Sequence, residues 1–389
     1  MMLGLLLARS GIRVLVLEKH ADFLRDFRGD TVHPSTLEVL HELGILEAFL
    51  RRPHQEYPEL GGKVGDTFVT IADFSHLPTR CRFIALMPQW DFLDFLKEQA
   101  SRYPTFELMM QADVIDLIEE DGRVTGVRAR TSTGEIEVRA DLVVGADGRQ
   151  SIVRERGRLE VEDVGAPIDV LWMRMSRRPT DPDRTFGYIN RGHVFVMLNR
   201  GDYWQCAFVI PKGGFETLRE QGLPAFRRSI VETVPFMEDR VDELSEWSTI
   251  KLLTVRIDRL KEWGRPGLLC IGDAAHAMSP IGGVGINLAI QDAVAAANIL
   301  EGPLQRGAPS LTDVRAVQRR REFPTRMTQR LQVFMQDRVL GPALRTQNPS
   351  LPLAVQLLRH WPALRRIPAR LVGVGLRAEH VRTTDVVRR

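Results

Sequence analysis

An acidic residue and a glycine-rich loop stand close together in the segment 267–292. Asp273 follows the short apolar run 268–271, which is typical of a buried strand. The loop and helix start after it contain Pro280, Gly283, Gly285, Ile286 and Asn287. Glycine lets the backbone approach a ligand closely, and the amides at a helix start favour negative charge. The segment therefore predicts an anion- and ribose-binding corner between a strand and a helix.

A second turn of the same kind lies earlier in the chain. Asp147 and Gly148 end another apolar run, and Ser151 is placed to cap the short helix that follows. Each motif alone also fits an ordinary turn between a strand and a helix. The pair in this order is far more specific than either motif alone.

The two motifs resemble those of the single-component FAD-dependent aromatic monooxygenases, the para-hydroxybenzoate hydroxylase-like family. The resemblance covers about residues 1 to 330 and implies that Asp273 holds the ribityl chain of FAD. The loop from Pro280 to Asn287 would pack on the isoalloxazine, with its amides facing the N1–C2=O edge. Pro280 and His276 are the candidate catalytic residues, although His276 would either relay protons or pack beside the loop, and packing is favoured.

Other positions match residues that contact FAD in this family. Glu18 ends a predicted strand and would accept hydrogen bonds from the adenosine ribose. Arg28 and Gln89 would contact the cofactor, although Arg28 could instead cap loop carbonyls and Gln89 could be an ordinary polar helix start. Asp147 and Gly148 would lie near the pyrophosphate and the path of NAD(P)H. Because two anions repel, we expect Asp147 to position backbone and water rather than contact phosphate.

The resemblance also implies a reaction. NAD(P)H would reduce FAD, O₂ would form a flavin C4a-hydroperoxide, and one oxygen atom would pass to an aromatic or other electron-rich small molecule. A flavin-dependent halogenase shares the fold, but its Trp-x-Trp-x-Ile-Pro signature is absent from the sequence. A non-catalytic, truncated flavoprotein remnant is the other alternative.

The start of the chain differs from the family pattern. Residues 1–11 predict a helix ended by Gly11, and residues 12–17 predict a buried strand. The family begins with an earlier strand and a GxGxxG turn that contacts the pyrophosphate. We therefore expect the reading frame to start roughly 15–20 residues upstream, the length of a strand and a glycine turn. The alternative is a chain that binds FAD weakly or not at all.

The remaining pattern predicts an α/β fold with a Rossmann-like parallel sheet that lacks its first strand, an inserted, mostly antiparallel substrate domain and C-terminal helices. The expected divisions are 1–154 and 261–340 for the FAD-binding domain, 155–260 for the substrate domain and 341–389 for a C-terminal cap. An apolar substrate pocket could be lined by Trp172, Met173, Met175, Phe195, Met197, Trp204 and Phe208, although each of these side chains singly is more often a core residue than a ligand contact. His193 is a weak candidate for a substrate base. Residues 311–340 predict amphipathic helices broken at Pro324.

Composition narrows the class of protein further. A net charge of +3 among 389 residues indicates neither a nucleic acid nor an acidic partner. The 3 cysteines are far apart and form no CxxC pair, so neither a disulfide framework nor a metal site is predicted. The sequence shows no obvious membrane-spanning run. We expect a cytoplasmic protein with a small aromatic substrate and no membrane partner, and a homodimer remains open.

Overall fold

The computed structural model describes residues 1–24, 31–346 and 353–387. Its helices are α1 (Met2–Arg9), α2 (Pro34–Glu42), α3 (Leu46–Leu50), α4 (Gln89–Ala100), α5 (Ile152–Arg156), α6 (Phe215–Gln221), α7 (Leu223–Thr233), α8 (Gly285–Arg306), α9 (Leu311–Met335), α10 (Gly341–Ala343), α11 (Leu353–His360) and α12 (Arg366–Gly373). The first strands are β1 (Val14–Glu18), β2 (Thr31–Val32), β3 (Gln55–Tyr57), β4 (Glu59–Val64), β5 (Thr67–Asp73), β6 (Ile84–Leu86), β7 (Phe106–Met110), β8 (Asp113–Glu120), β9 (Arg123–Thr131), β10 (Gly134–Arg139) and β11 (Val143–Gly145). The later strands are β12 (Val161–Asp163), β13 (Ile168–Ser176), β14 (Phe186–Asn190), β15 (His193–Asn199), β16 (Tyr203–Pro211), β17 (Lys251–Leu253), β18 (Asp258–Leu260), β19 (Gly264–Arg265), β20 (Leu268–Cys270) and β21 (His276–Ala277).

The predicted helix and strand at the start of the chain are confirmed. α1 ends before Gly11, whose φ of +80° suits a residue without a side chain. β1 then pairs in parallel with β7, and all five of its residues are half-buried. Within the described residues, this pair is separate from the sheet in which β11 and β20 run parallel. The proposed additional strand upstream stays a prediction.

The predicted antiparallel sheet is also confirmed. Its seven strands run in the order β17-β13-β16-β15-β14-β4-β5, and β14 and β4 form its parallel pair. β4 and β5 precede residue 154, so this sheet takes strands from both sides of a predicted domain division. The divisions themselves stay a prediction.

The two faces of this sheet pack against different parts of the protein. The outer face packs against α6 and α7 and carries Leu171, Met173, Met175, Phe195, Met197, Trp204, Cys206 and Phe208. The inner face packs against Ile281 and the segment 340–344, and carries Ile168, Val170, Trp172, Val194, Val196, Ala207 and Val209. Side chains alternate between the faces along each strand. Six of the seven candidate pocket residues are therefore core residues of the outer face, which is the alternative that the sequence favoured for each of them. Trp172 lies on the inner face, and its role in a substrate pocket stays a prediction.

α8 and α9 pack against each other, α8 also packs against α1, and both contribute apolar side chains to the main buried core. α9 is continuous from Leu311 to Met335, so the predicted break at Pro324 was wrong. Among the described residues, one helical segment, Ile281–Arg306, is long and apolar enough to cross a membrane. However, 56% of its apolar window is buried inside the protein, as in the central helix of a folded core.

Candidate functional site

The glycine loop before α8 has a conformation that requires glycine. Gly282 and Gly283 have φ values of +76° and +61°. A Cβ atom added at Gly283 would lie 2.3 Å from the Thr31 Oγ1 atom. The Thr31 hydroxyl donates a hydrogen bond of 2.9 Å to the Gly283 carbonyl. β2 therefore holds the loop at a separation that only glycine permits.

Asn287, in the first turn of α8, holds the same loop through hydrogen bonds of its side chain. Its Oδ1 accepts hydrogen bonds from the His33 amide at 2.9 Å and the Thr36 hydroxyl at 2.8 Å. Its Nδ2 donates to the carbonyls of Thr31 at 3.0 Å and Gly283 at 3.2 Å. The side chain is thus committed to bonds within the protein. Only the backbone of Asn287 remains available for the predicted contact with a cofactor.

The two predicted motifs meet at their acidic residues. Asp273 follows β20, and its Oδ2 lies 3.7 Å from the Nε of Arg149, which follows the Asp147–Gly148 turn. Both side chains are partly exposed, so the two motifs meet at the surface of the protein, where a ligand can reach them. The Asp147 carboxylate instead accepts hydrogen bonds from the Ser151 hydroxyl at 2.5 Å and the Val153 amide at 3.2 Å. This orientation agrees with the expectation that Asp147 positions backbone.

His276 belongs to a buried charged cluster. Its Nε2 lies 2.5 Å from the Oδ2 of Asp292, and its ring packs on Trp263 at a centroid distance of 4.9 Å. Arg321 donates to the other oxygen of Asp292 at 3.0 Å. Burial raises the pKa of a carboxyl, but the His276 and Arg321 charges and hydrogen bonds outweigh it and hold the pKa of Asp292 below its ordinary value. With 1% of its side chain exposed, His276 fits the packing alternative better than the proton relay.

The remaining predicted positions are less closely connected to the loop. Gln89 is the first residue of α4 and follows β6, the strand paired with β2. Glu18 ends β1, as predicted, and its Oε1 accepts a hydrogen bond of 3.0 Å from the His20 amide. Arg28 lies outside the described residues. His193 packs on Phe208 of the outer face, so its side chain is placed away from Ile281. The cofactor-contact roles of Glu18, Arg28 and Gln89 stay predictions.

The site has the features that a flavin requires. The first turn of α8 leaves the amides of Gly285, Ile286 and Asn287 without partners inside the helix, so they can donate to a ligand. A Cβ added at Gly148, with φ of +88°, would meet no atom within 4 Å among the described residues, so the turn is open. The inner face of the antiparallel sheet packs against Ile281 of the same loop and supplies an apolar cover. These residues fit FAD, with the flavin ring against the loop and the ribityl chain beside the partly exposed carboxylate of Asp273.

Comparison with known proteins decides the family. A family model described as an FAD binding domain matches residues 1–331. The chain belongs to this family. A relative from Streptomyces rimosus, 6-methylpretetramide 4-monooxygenase, is 34% identical over 375 residues, which cover 95% of this chain and 88% of that protein.

Two solved structures show the same fold at lower identity. OxyS anhydrotetracycline hydroxylase from Streptomyces rimosus superposes with a TM-score of 0.75 at 22% identity, covering 97% of this chain and 74% of that one. The flavin-dependent brominase Bmp2 superposes with a TM-score of 0.72 at 16% identity, covering 96% of this chain and 90% of that one. A hydroxylase and a halogenase therefore share this architecture, and the fold alone does not separate them.

Several residues at the site had no role in the sequence prediction. Arg149 directly follows the Asp147–Gly148 turn, and Asp292 ends the segment that contains the glycine loop. Arg321 binds Asp292 from α9, which is separated from α8 by a short connection. Arg149 and Asp292 could have been suspected because each stands beside a recognised motif. Arg321 had no such signal.

Proposed function

We propose that this protein is an FAD-dependent monooxygenase that hydroxylates an aromatic small molecule at the expense of NAD(P)H and O₂. The observation that carries the proposal is the glycine loop. Thr31 and Asn287 hold it in a fixed conformation, its helix-start amides are available, and it lies beneath an apolar sheet face. When bound, FAD supplies electron transfer from NAD(P)H and the activation of O₂.

The protein's own residues would bind and shield the reacting groups. The amides of Gly285 and Ile286 would donate to the electron-rich edge of the ring, and Asp273 would accept hydrogen bonds from the ribityl hydroxyls. Arg149 would offset the charge of Asp273 and of a nearby pyrophosphate. Pro280 and Ile281 would exclude water from the face of the ring below the inner sheet face.

We infer that the substrate sits between the glycine loop and the inner face of the antiparallel sheet. Trp172 is half-buried there, together with Val196 and Ile281. The name of one relative identifies its substrate as 6-methylpretetramide, which supports an aromatic substrate for this chain too. A cytoplasmic location and a homodimer are part of this proposal only as expectations.

Substrate-dependent oxidation of NAD(P)H tests the proposal. The FAD-loaded protein is mixed with a panel of phenolic and fused-ring aromatic compounds, and NAD(P)H, H₂O₂ and products are measured. We expect at least one compound to accelerate NAD(P)H oxidation and to yield a hydroxylated product in the absence of halide. A product formed only with bromide or chloride would support the halogenase, and failure to bind FAD would support a non-catalytic remnant.

A further inference from the structure

A row of buried glutamines runs along α9 and into the helical turn that follows it. Its members are Gln318, Gln329, Gln332 and Gln336. Glutamine is usually exposed, so a buried row on one helix requires hydrogen-bond partners. Those partners are backbone groups of the segments 258–263 and 277–281 and the side chains of Arg259 and Ser279. The second of these segments leads into the glycine loop.

Gln332 binds the backbone on both sides of Pro280. Its Oε1 accepts a hydrogen bond of 3.1 Å from the Ser279 amide. Its Nε2 donates to the carbonyls of Ser279 at 2.9 Å and Ile281 at 3.0 Å. Proline has no N–H to donate, and the Gln332 amide bonds the backbone groups of the residues on either side of it.

Gln336 adds a fourth bond to the same place. Its Nε2 donates to the Ser279 hydroxyl at 2.8 Å, and that hydroxyl lies 3.4 Å from the Ile281 amide, within hydrogen-bond range. Gln336 begins a π-helical turn, Gln336–Leu340, directly after α9. Such turns are rare and frequently occur at functional sites.

Gln318 makes the same kind of contact away from the loop. It accepts from the Trp263 amide at 2.9 Å and donates to the Lys261 carbonyl at 2.8 Å. Both Gln318 and Gln332 are at least nine-tenths buried. Removing either amide therefore leaves buried backbone groups unpaired, but only Gln332 touches the segment around Pro280.

We propose that Gln332 is a positioning residue that fixes the backbone around Pro280 at its position against the flavin ring. Gln336 supports the same backbone through the Ser279 hydroxyl. This inference rests on the proposed function, because it assumes that the loop faces FAD. Loss of the Gln332 amide frees the Ser279 and Ile281 carbonyls, and the loop must then reorder when the cofactor binds. The cofactor consequently binds less tightly and its ring lies in a more solvent-like environment.

The experiment compares the Gln332→Met and Gln318→Met variants with the wild-type chain. Methionine keeps the length of the side chain and removes its hydrogen-bonding amide. FAD affinity is measured by the change in flavin fluorescence, and the visible spectrum of bound FAD and the thermal midpoint of each apoprotein are recorded. We expect both variants to unfold at lower temperature. Only Gln332→Met should bind FAD about tenfold more weakly, equivalent to about 1.4 kcal/mol, and show a spectrum shifted towards free FAD.

Three outcomes would overturn the inference. One is a Gln332→Met protein with the affinity and spectrum of the wild type, and another is an equal change in Gln318→Met. If Gln332→Met does not fold, Gln336→Met is tested instead, and the visible spectrum of its bound FAD must shift towards free FAD by a smaller amount. An unchanged spectrum in Gln336→Met would be the third outcome. A wild-type chain that binds no FAD would refute the proposed function and this inference together, whereas equal binding by wild type and Gln332→Met refutes the inference alone.

Discussion

Replacing Asn287 with leucine would remove the side-chain hydrogen bonds that hold the glycine loop, with little change in side-chain volume. The change deletes four hydrogen bonds of 2.8–3.2 Å at a side chain that is 5% exposed. A typical hydrogen bond contributes about 1 kcal/mol net, so we expect a loss of about 4 kcal/mol in the free energy of unfolding. The Gly283 carbonyl keeps only its hydrogen bond from the Thr31 hydroxyl, and it belongs to the proposed flavin-facing loop, so FAD affinity should also fall by about tenfold or more.

Asn298 provides a matched control on the same helix. Its side chain donates to the His380 carbonyl at 2.8 Å and accepts from the Arg382 amide at 2.9 Å, at a half-buried site far along α8 from the loop. Asn298→Leu should cost about 1–2 kcal/mol and leave FAD affinity unchanged. Urea denaturation gives the stabilities, and titration of flavin fluorescence gives the affinities. The reasoning fails if Asn287→Leu loses no more stability than Asn298→Leu, or if it loses stability while keeping wild-type affinity for FAD.

Three further predictions concern charge, pH and substrate contact. Asp292→Asn should destabilise the protein by about 1.5–3 kcal/mol in urea denaturation, because it removes the buried charge that His276 and Arg321 share, while Glu379 remains 3.3 Å from Arg321. A loss below about 1 kcal/mol would contradict the buried ion pair. Burial lowers the pKa of His33 from 6.5 to about 4, with a smaller opposing effect of its bond to Val372. The His33 ring of the unfolded chain takes up a proton near pH 6.5, whereas the buried ring does so only near pH 4. The contribution of His33 to the free energy of unfolding is therefore fully present above pH 6.5 and falls by up to about 3 kcal/mol as the pH drops towards 4. The difference between the free energies of unfolding at pH 7 and pH 5 should be smaller in His33→Gln than in the wild type. An identical difference in the two proteins would be inconsistent with a buried neutral imidazole. Trp172→Ala should raise KM for the aromatic substrate without changing FAD affinity, because Trp172 lies on the inner face. Met173→Ala, on the outer face, should lower the free energy of unfolding by about 2–5 kcal/mol and leave KM unchanged. The opposite pattern would place the substrate elsewhere.

Local pattern was enough to predict the elements that carry the site. The strand before Asp273, the glycine loop and the start of α8 are adjacent in sequence, so their order alone indicates the corner that they form. The same holds for α1, Gly11 and β1. These elements are specified by short-range signals, and the structure confirms them.

The orientation of side chains within the antiparallel sheet could not be predicted in this way. Alternation along β13 shows that Trp172 and Met173 lie on opposite faces, but not which face meets the loop. That choice depends on α6 and α7 covering one face and Ile281 covering the other. Such contacts join segments that are far apart in the chain.

The contacts between α9 and the loop were missed for a similar reason. The glutamines of α9 stand where an amphipathic helix would carry apolar side chains, and this departure was the available signal. The partners of these glutamines lie in the segments 258–263 and 277–281, which are far from α9 in the sequence. The pattern of α9 therefore does not identify these segments, and the segments do not identify α9. A buried polar row on a helix should therefore prompt a search for an irregular backbone segment that it supports.

Incorporation of isotopically labelled O₂ is the most direct test of the proposed reaction. The FAD-loaded protein is supplied with NAD(P)H and an aromatic compound that accelerates NAD(P)H oxidation, under labelled O₂ in ordinary water, and the product is analysed by mass spectrometry. A monooxygenase must give a product that carries one labelled oxygen atom. A hydroxylated product with oxygen from water, or NAD(P)H oxidation that yields only H₂O₂ with every accelerating compound, would contradict the account.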